Sequence, residues 1–422
     1  MKVLVLGTGK MGRGVAWDLA HNPVVETVGM VDVRRSALER AKNKLQHEFE
    51  KNGQTAESEK LVFHPLDITN FDESVPLFKE YDVGAITVCN RRCSYKAIEA
   101  AILAGLDVVD ILEEYHRRPD MHEIEGLEVP EGMSLREYGD WLHERAIEAD
   151  VLVLDGMGFA PGLSNVTLGE GIRKMDEATS AVARVGGIPC KASAQRHPLR
   201  YVITWAFSHV LREYMVKVNI RCDGEIVEVD AVTDLERFEF QQFGKDEALV
   251  CAITPGMPSF IYSRPNLQSF AEKTIRWPGH WEGIQTLKEC GLLDLDPVEF
   301  EGMMISPRKF FDALVAPKLQ PVDGDRDVCV MWNSVVGSQG GRPMRVDYYL
   351  WEESDAANSA MARVTAFPAA IAAVMIGQGK IARTGIVPPE DAIGGDDGAL
   401  YTEFLGELEK RNIDILEMVS AA

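Results

Sequence analysis

The stretch Val3–Gly14, VLVLGTGKMGRG, decides how the first third of this chain folds. Four apolar residues run into Gly7-x-Gly9-x-x-Gly12, and an amphipathic run follows. The order is strand, tight turn, helix. The first glycine permits the turn, the second lets backbone approach a diphosphate, and the third lets the helix pack on the strand. The diphosphate of a dinucleotide would then rest on the amides of Gly9, Lys10, Met11 and Gly12, at the positive end of the helix. A second match strengthens the motif. Thr27–Val33, TVGMVDV, places Asp32 at the end of the next strand, where a carboxylate takes the ribose hydroxyls. Such a carboxylate repels a 2′-phosphate and favours NAD. Arg34 and Arg35 cut the other way, so NADP is the less favoured cofactor rather than an excluded one.

Outward from this turn, residues 1–155 alternate short apolar runs with longer amphipathic ones, the βαβ rhythm of a parallel sheet. Strands are expected at Lys2–Leu6, Thr27–Val31, Leu61–Leu66, Gly84–Val88, Asp107–Val109 and Val151–Leu154, and helices at Met11–Ala20, Ser36–Phe49 and Ser94–Ala104. Strand ends face the ligand crevice in such a sheet. By that geometry Asp67 and Ile68 border the adenine, and Val88, Cys89 and Asn90 border the nicotinamide ribose. The connection Glu113–Met133 has no clean period and leaves the fifth strand, so it is expected to be a substrate lid. After Pro161 strand-like segments follow one another with fewer helices, which reads as a mixed or antiparallel sheet. From Met361 the chain is helical again. The fold class is therefore α/β: a Rossmann doubly wound parallel sheet with a second α+β domain.

The formal net charge of -22 argues against nucleic acid or an anionic membrane as partner. The run FPAAIAAVMIG, residues 367–377, is short of a membrane span. A strand begins directly after Met1, which leaves no room for a secretory leader. The seven cysteines form no CxxC pair, so no metal site is expected, and scattered thiols suit a reducing cytoplasm.

A second glycine-rich turn, Val151–Asn165 (VLVLDGMGFAPGLSN), lacks the fingerprint spacing, and Pro161 removes an amide that a phosphate cradle would use. It reads as a hinge out of the last Rossmann strand, with Pro161 at the first position of the next helix. The bare backbone around Gly158 and Pro161 would pass the nicotinamide end of the single dinucleotide.

Several stretches together resemble the saccharopine dehydrogenase family. They are VLVLGTGKMGRG, Ala97–Ile111 (AIEAAILAGLDVVDI), Gly156–Asn165 (GMGFAPGLSN), Glu272–Leu293 (EKTIRWPGHWEGIQTLKECGLL) and Ser359–Glu390 (SAMARVTAFPAAIAAVMIGQGKIARTGIVPPE). They spread over nearly the whole chain and look most like the saccharopine reductase and lysine 6-dehydrogenase-like branch. Val88–Ala97, VCNRRCSYKA, departs from the pattern with two Arg and a Cys, and Glu113–Met133 looks like an insertion. The resemblance implies an NAD(P)-dependent oxidoreductase acting at a carbon–nitrogen bond of a small amino-acid substrate. It also implies a Rossmann domain (1–160), a substrate-binding and dimerisation domain (161–360), a C-terminal segment returning to the Rossmann domain (361–422), and a homodimer or homotetramer. Two other readings stay open: a homospermidine synthase-like transferase with bound NAD as internal relay, and an NAD-binding protein without catalysis.

Amine oxidation needs proton transfer, and an amino-acid carboxylate wants an Arg fork. Arg276 and His280 in TIRWPGH form the first candidate pair, presented by the Pro278–Gly279 turn, with His280 suited to proton transfer. His280 could equally cap a helix beginning at Trp281. Arg200, with His197 and Tyr201, lies on the Pro-broken loop QRHPLRY. Asp110 ends the fifth strand with Glu113 and Glu114 just beyond, well placed for an amine. His116, Arg117 and Arg118 read as a charged lid surface, and Cys93 as a packing thiol.

Overall fold

The computed structural model describes residues 1–119, 127–394 and 398–422. Its strands in chain order are β1 (Lys2–Leu6), β2 (Thr27–Asp32), β3 (Leu61–Pro65), β4 (Val83–Ile86), β5 (Val108–Asp110), β6 (Leu152–Asp155), β7 (Glu177–Pro189), β8 (Lys217–Cys222), β9 (Glu225–Asp230), β10 (Glu236–Phe240), β11 (Glu247–Ile253), β12 (Ser269–Arg276), β13 (Val298–Phe300), β14 (Met303–Ile305), β15 (Asp327–Gln339), β16 (Arg342–Glu353), β17 (Gly385–Val387) and β18 (Leu416–Ser420). The chain divides into two compact units. The first is Met1–Arg173 with Met257–Ser263 and Ala362–Ile413; the second is Lys174–Gly256 with Arg264–Met361 and Asp414–Ala422.

The first unit holds a seven-stranded sheet in the order β17-β6-β5-β4-β1-β2-β3, parallel throughout. The order reverses between β1 and β4, the topological switch point of a doubly wound Rossmann sheet. Strands covered on both faces read as continuous apolar runs, and Val3–Leu6 and Leu152–Leu154 are buried accordingly. The helix Lys10–His21 follows the first turn. Ala362 and Ala366 pack against Gly14 so closely that a Cβ there would lie 2.8 Å from the Ala366 side chain. Helix Ala360–Gly377 is long and apolar enough to span a membrane, and 83% of it is buried within the protein. Gly105, in the left-handed region, ends helix Arg91–Ala104.

The second unit is built on a nine-stranded mixed sheet. Its main path is β10-β11-β12-β7-β15-β16-β18, with β8 on β12 and β9 on β8. Only β12 and β7 run parallel in it. One apolar cluster gathers Tyr201, Leu211, Tyr214, Ala252, Trp281 and Ile284; another gathers Ile188, Leu249, Ile275, Trp277 and Val330.

The boundaries differ from those read in the sequence. Helix Leu163–Arg173 stays with the first unit, so that unit runs past residue 160. Residues 414–422 do not return with the rest of the tail: β18 pairs antiparallel with β16 in the second unit. Helix Leu163–Arg173 starts two residues beyond Pro161, so Pro161 is not its first residue.

Candidate active site

In the first unit the glycine turn has three distinct surroundings. Gly7 adopts a φ of +105°, which a side chain would strain. A Cβ on Gly12 would lie 2.0 Å from the Gly7 carbonyl oxygen, so helix and strand meet there with no space between them. A Cβ on Gly9 would meet nothing within 4 Å. The open position is therefore the one where a diphosphate would approach. Gly9 is the N-cap of helix Lys10–His21, the first turn carries no acidic residue, and no side chain caps it. That donor set fits a dinucleotide phosphate, with Lys10 exposed and Met11 half-buried beside it. A bound nicotinamide dinucleotide would supply the two-electron acceptor for oxidation.

Asp32 ends β2. Its Oδ2 accepts from the Thr8 hydroxyl at 2.7 Å and its Oδ1 from the Arg34 amide at 3.0 Å. Burial pulls its pKa up, but these hydrogen bonds outweigh it and hold the carboxyl below its usual value. Asp67 is exposed and folds back on Thr69, Ile68 is buried, Val88 is half-buried, and Cys89 and Asn90 are exposed beyond β4. Asn90 caps helix Arg91–Ala104 by accepting from the Cys93 amide.

The carboxyl ends of β5 and β6 carry a buried ionic cluster. Asp110 ends β5 and Asp155 ends β6, and His116 lies with both, fully buried. His116 Nδ1 is 2.6 Å from Asp155 Oδ1, and its backbone amide donates to Asp155 Oδ2 at 2.9 Å. On the other side Nε2 is 2.9 Å from Ser94 Oγ, and the Ser94 hydroxyl donates to Asp110 Oδ2. All these acceptors are satisfied only if both ring nitrogens carry protons, that is, as imidazolium. Burial opposes that charge, yet Asp155 and Asp110 overcome it and push the His116 pKa up to about 9. Beside the cluster Arg91 and Glu114 form a buried ion pair at 2.7 Å. The expectation of a charged lid surface is thus wrong for His116; Arg117 and Arg118 are partly exposed. Glu113 is half-buried at the start of this loop, and residues 120–126 of the expected lid lie outside the described residues.

Gly158 and Pro161 are buried. The Gly158 amide donates to the Pro161 carbonyl at 2.9 Å, and a Cβ on Gly158 would lie 3.1 Å from Thr365. The bare backbone there is filled by the turn itself and by Thr365, which corrects the reading of an open approach to a cofactor.

In the second unit Arg276 ends β12 and is 4% exposed. Its Nε and Nη2 donate to the Tyr214 hydroxyl at 3.3 and 3.1 Å, and Nη1 donates to the Ile275 carbonyl at 3.0 Å. The guanidinium lies 5.3 Å from the Tyr201 ring centroid and 5.8 Å from that of Trp281. Among the described residues no carboxylate comes within 4 Å of it. Glu272 and Thr274 precede it on the same face of the strand, because side chains alternate.

His280 opens helix His280–Glu289, one residue earlier than expected. Its ring is buried, with Nδ1 on the Leu199 carbonyl at 2.9 Å and Nε2 on the Tyr214 hydroxyl at 3.1 Å. Burial and the neighbouring Arg276 lower its pKa to about 3. A ring so placed is neutral near pH 7 and orients Tyr214, so the expected proton-transfer role for His280 is corrected. Arg200 is exposed and projects over Gly279; it is not brought to Arg276 by any hydrogen bond. Ser94, His116, Asp155, Tyr214, Thr254 and Glu272 were not expected as site residues. Strand alternation in Glu272–Arg276 was the one available signal among them.

Residues 3–182 match the family model described as the saccharopine dehydrogenase NADP binding domain, and residues 158–414 the saccharopine dehydrogenase C-terminal domain. Carboxyaminopropylagmatine dehydrogenase of Synechocystis is 21% identical over 357 residues, 79% of this chain and 81% of that protein. Saccharopine dehydrogenase [NADP(+), L-glutamate-forming] of Schizosaccharomyces pombe is 25% identical over 167 residues, 38% of this chain, and the match spans only 36% of that relative's length. The apo saccharopine dehydrogenase (L-Glu forming) structure from Saccharomyces cerevisiae covers all of both chains with a TM-score of 0.74 at 19% identity, a shared fold.

Proposed function

This chain belongs to the saccharopine dehydrogenase family of NAD(P)-dependent oxidoreductases, and we propose that it oxidises the carbon–nitrogen bond of an amino acid bearing a distal amine, as a lysine 6-dehydrogenase-like enzyme would. The observation that carries this reading is Arg276. It is a buried guanidinium in an aromatic box with no carboxylate within 4 Å among the described residues, and its planar fork suits the α-carboxylate of a substrate. The relatives named for saccharopine and carboxyaminopropylagmatine support an amino-acid-derived amine.

We favour NAD over NADP, although the matching model is named for NADP, because Asp32 is held in its ionised form where a 2′-phosphate would sit. Arg34, only 3.5 Å from Asp32, tempers the preference. A self-associated state is supported by a half-buried aromatic row on the second sheet: Phe238 and Trp332 at 5.2 Å, and the cross-strand pair Trp332–Tyr349 stacked at 6.1 Å.

The test is reduction of NAD and of NADP across L-lysine, saccharopine, carboxyaminopropylagmatine and simple diamines. Turnover of an amino acid, with diamines lacking the carboxylate at least tenfold poorer, is expected. Preference for diamines, or no turnover despite dinucleotide binding, would refute the reading. Light scattering of the purified protein checks the oligomer.

A further inference from the structure

We infer that Glu272 is the group that receives the substrate amine and takes its proton, a role that rests on the amine-oxidising reading above. Glu272, Thr274 and Arg276 lie on one face of β12. Glu272 and Arg276 are separated by about 13 Å of strand, shortened by the reach of both side chains. That span suits a carboxylate and an amine held several carbons apart rather than on one carbon.

The carboxyl of Glu272 is fixed at one oxygen and open at the other. Oε2 accepts from the Thr254 hydroxyl at 2.6 Å and from the Gly256 amide at 3.0 Å. Gly256 lies flush against the group, since a Cβ there would sit 2.7 Å from the Glu272 carboxyl carbon. Oε1 has no hydrogen-bond partner among the described residues, although Glu272 is only 4% exposed. Burial holds the acid form, lifting its pKa to about 8 against the hydrogen bonds from Thr254 and Gly256; Glu213 reinforces this and Arg276 opposes it. Thr274 faces the Thr254 hydroxyl at 2.6 Å and carries no charge. Lys273, on the opposite face of the strand, and Arg184 each donate to Glu236. Among the described residues no cation is hydrogen-bonded to the Glu272 carboxyl.

In the ionised form Oε1 accepts a proton from the substrate ammonium. The N–H bond breaks with its electron pair left on nitrogen, and an O–H bond forms on Glu272. The neutral amine then has the lone pair that loss of hydride from the adjacent carbon requires. General-base groups act best with a pKa near the working pH.

The experiment is kcat/KM against pH with the panel compound that the wild type oxidises. A limb rising through about pH 8 is expected, below the limb of the substrate amine itself near about pH 10. Glu272→Gln should remove the lower limb and cut kcat about 100-fold. Thr254→Val, which takes one hydrogen bond from the ionised carboxyl, should move that limb to higher pH. A second measurement needs no dinucleotide: the infrared carboxylic-acid band of the ligand-free protein should titrate near pH 8, vanish in Glu272→Gln, and titrate at lower pH with L-lysine bound. A limb unchanged in Glu272→Gln, or in Thr254→Val should the first variant not fold, overturns the role while the functional reading stands. Absence of turnover with every amine overturns the functional reading and, if L-lysine also leaves the band unmoved, the role with it.

Discussion

His116 offers the sharpest test of the first unit, because its charge can be removed by pH alone. Its ring lies 2.6 Å from Asp155 and 3.8 Å from Asp110, with all three side chains buried. The folded pKa of about 9 exceeds the ordinary imidazole value, so the folded state binds the extra proton. Stability from this source is fully present below about pH 6.5 and is lost as pH rises through 9. Integrated from pH 7 to 10, the loss is about 2.5 kcal/mol. Burial also raises Asp110, to about 6, but that carboxyl has finished titrating near pH 7 and drops out of the window. Urea unfolding of wild type and His116→Gln at pH 7, 8, 9 and 10 measures the effect. The variant leaves two buried carboxylates without their cation and should lose about 3–5 kcal/mol at pH 7. The gap between the two proteins should then narrow by about 2.5 kcal/mol towards pH 10. A gap that stays constant within about 0.5 kcal/mol would show that His116 is neutral in the fold, and the reasoning would fail.

The glycine turn predicts opposite outcomes at neighbouring positions. Gly9→Val meets open space, so stability should change by less than about 0.5 kcal/mol while dinucleotide affinity, read by fluorescence titration, falls more than about tenfold. Gly12→Ala forces a Cβ against the Gly7 carbonyl and should instead lower the melting temperature. Arg276→Lys keeps the charge but loses the fork; KM for the amino acid should rise about 10- to 100-fold with kcat less affected, in steady-state kinetics. Glu390 is buried and accepts from Asn165 at 2.7 Å, Ser259 at 3.0 Å and Ser263 at 2.5 Å. Glu390→Gln turns one acceptor into a donor facing donors, and should cost about 1–3 kcal/mol in urea unfolding.

The parallel sheet was legible because strands covered on both faces are apolar throughout. The six expected segments recur as β1 to β6 with ends shifted by no more than two residues. β10 and β12 escaped notice for the converse reason. ERFEF and SFAEKTIR are rich in charge, yet the charged residues of β12 are buried, Lys273 paired with Glu236 and Glu272 held by Thr254 and Gly256. His116 was hidden by its neighbours. Two arginines follow it and suggest solvent, while one partner, Asp155, is 39 positions away. Nothing local in YHRRPD announces such a contact. Arg276 was read as a carboxylate ligand from its residue type, and His280 as a proton carrier from its own. The His280 partners Leu199 and Tyr214 lie 81 and 66 positions away, and burial beside Arg276 lowers its pKa to about 3.

The two glycine-rich turns of the first unit look alike in sequence and differ in what fills the space their glycines leave. At Gly9 that space is empty, which is what an approaching diphosphate requires. In Gly156–Asn165 it is used by the chain. A Cβ on Gly162 would stand 2.1 Å from the Gly158 oxygen, and Gly162 holds a φ of +127°. The Leu163 amide donates to the Gly158 carbonyl at 2.9 Å, and the Gly162 amide to Asn165 Oδ1 at 2.9 Å. Asn165 in turn donates to Glu390 from its other end, so APGLSN and the distant VPPE are two parts of one hydrogen-bonded junction. The Gly158, Gly162, Leu163 and Ser164 amides are thus engaged within the turn, and those of Gly156 and Met157 donate to the Asp110 carbonyl. The second motif therefore ties the end of β6 to the tail of the chain, and the open backbone that a dinucleotide phosphate would need lies at the first.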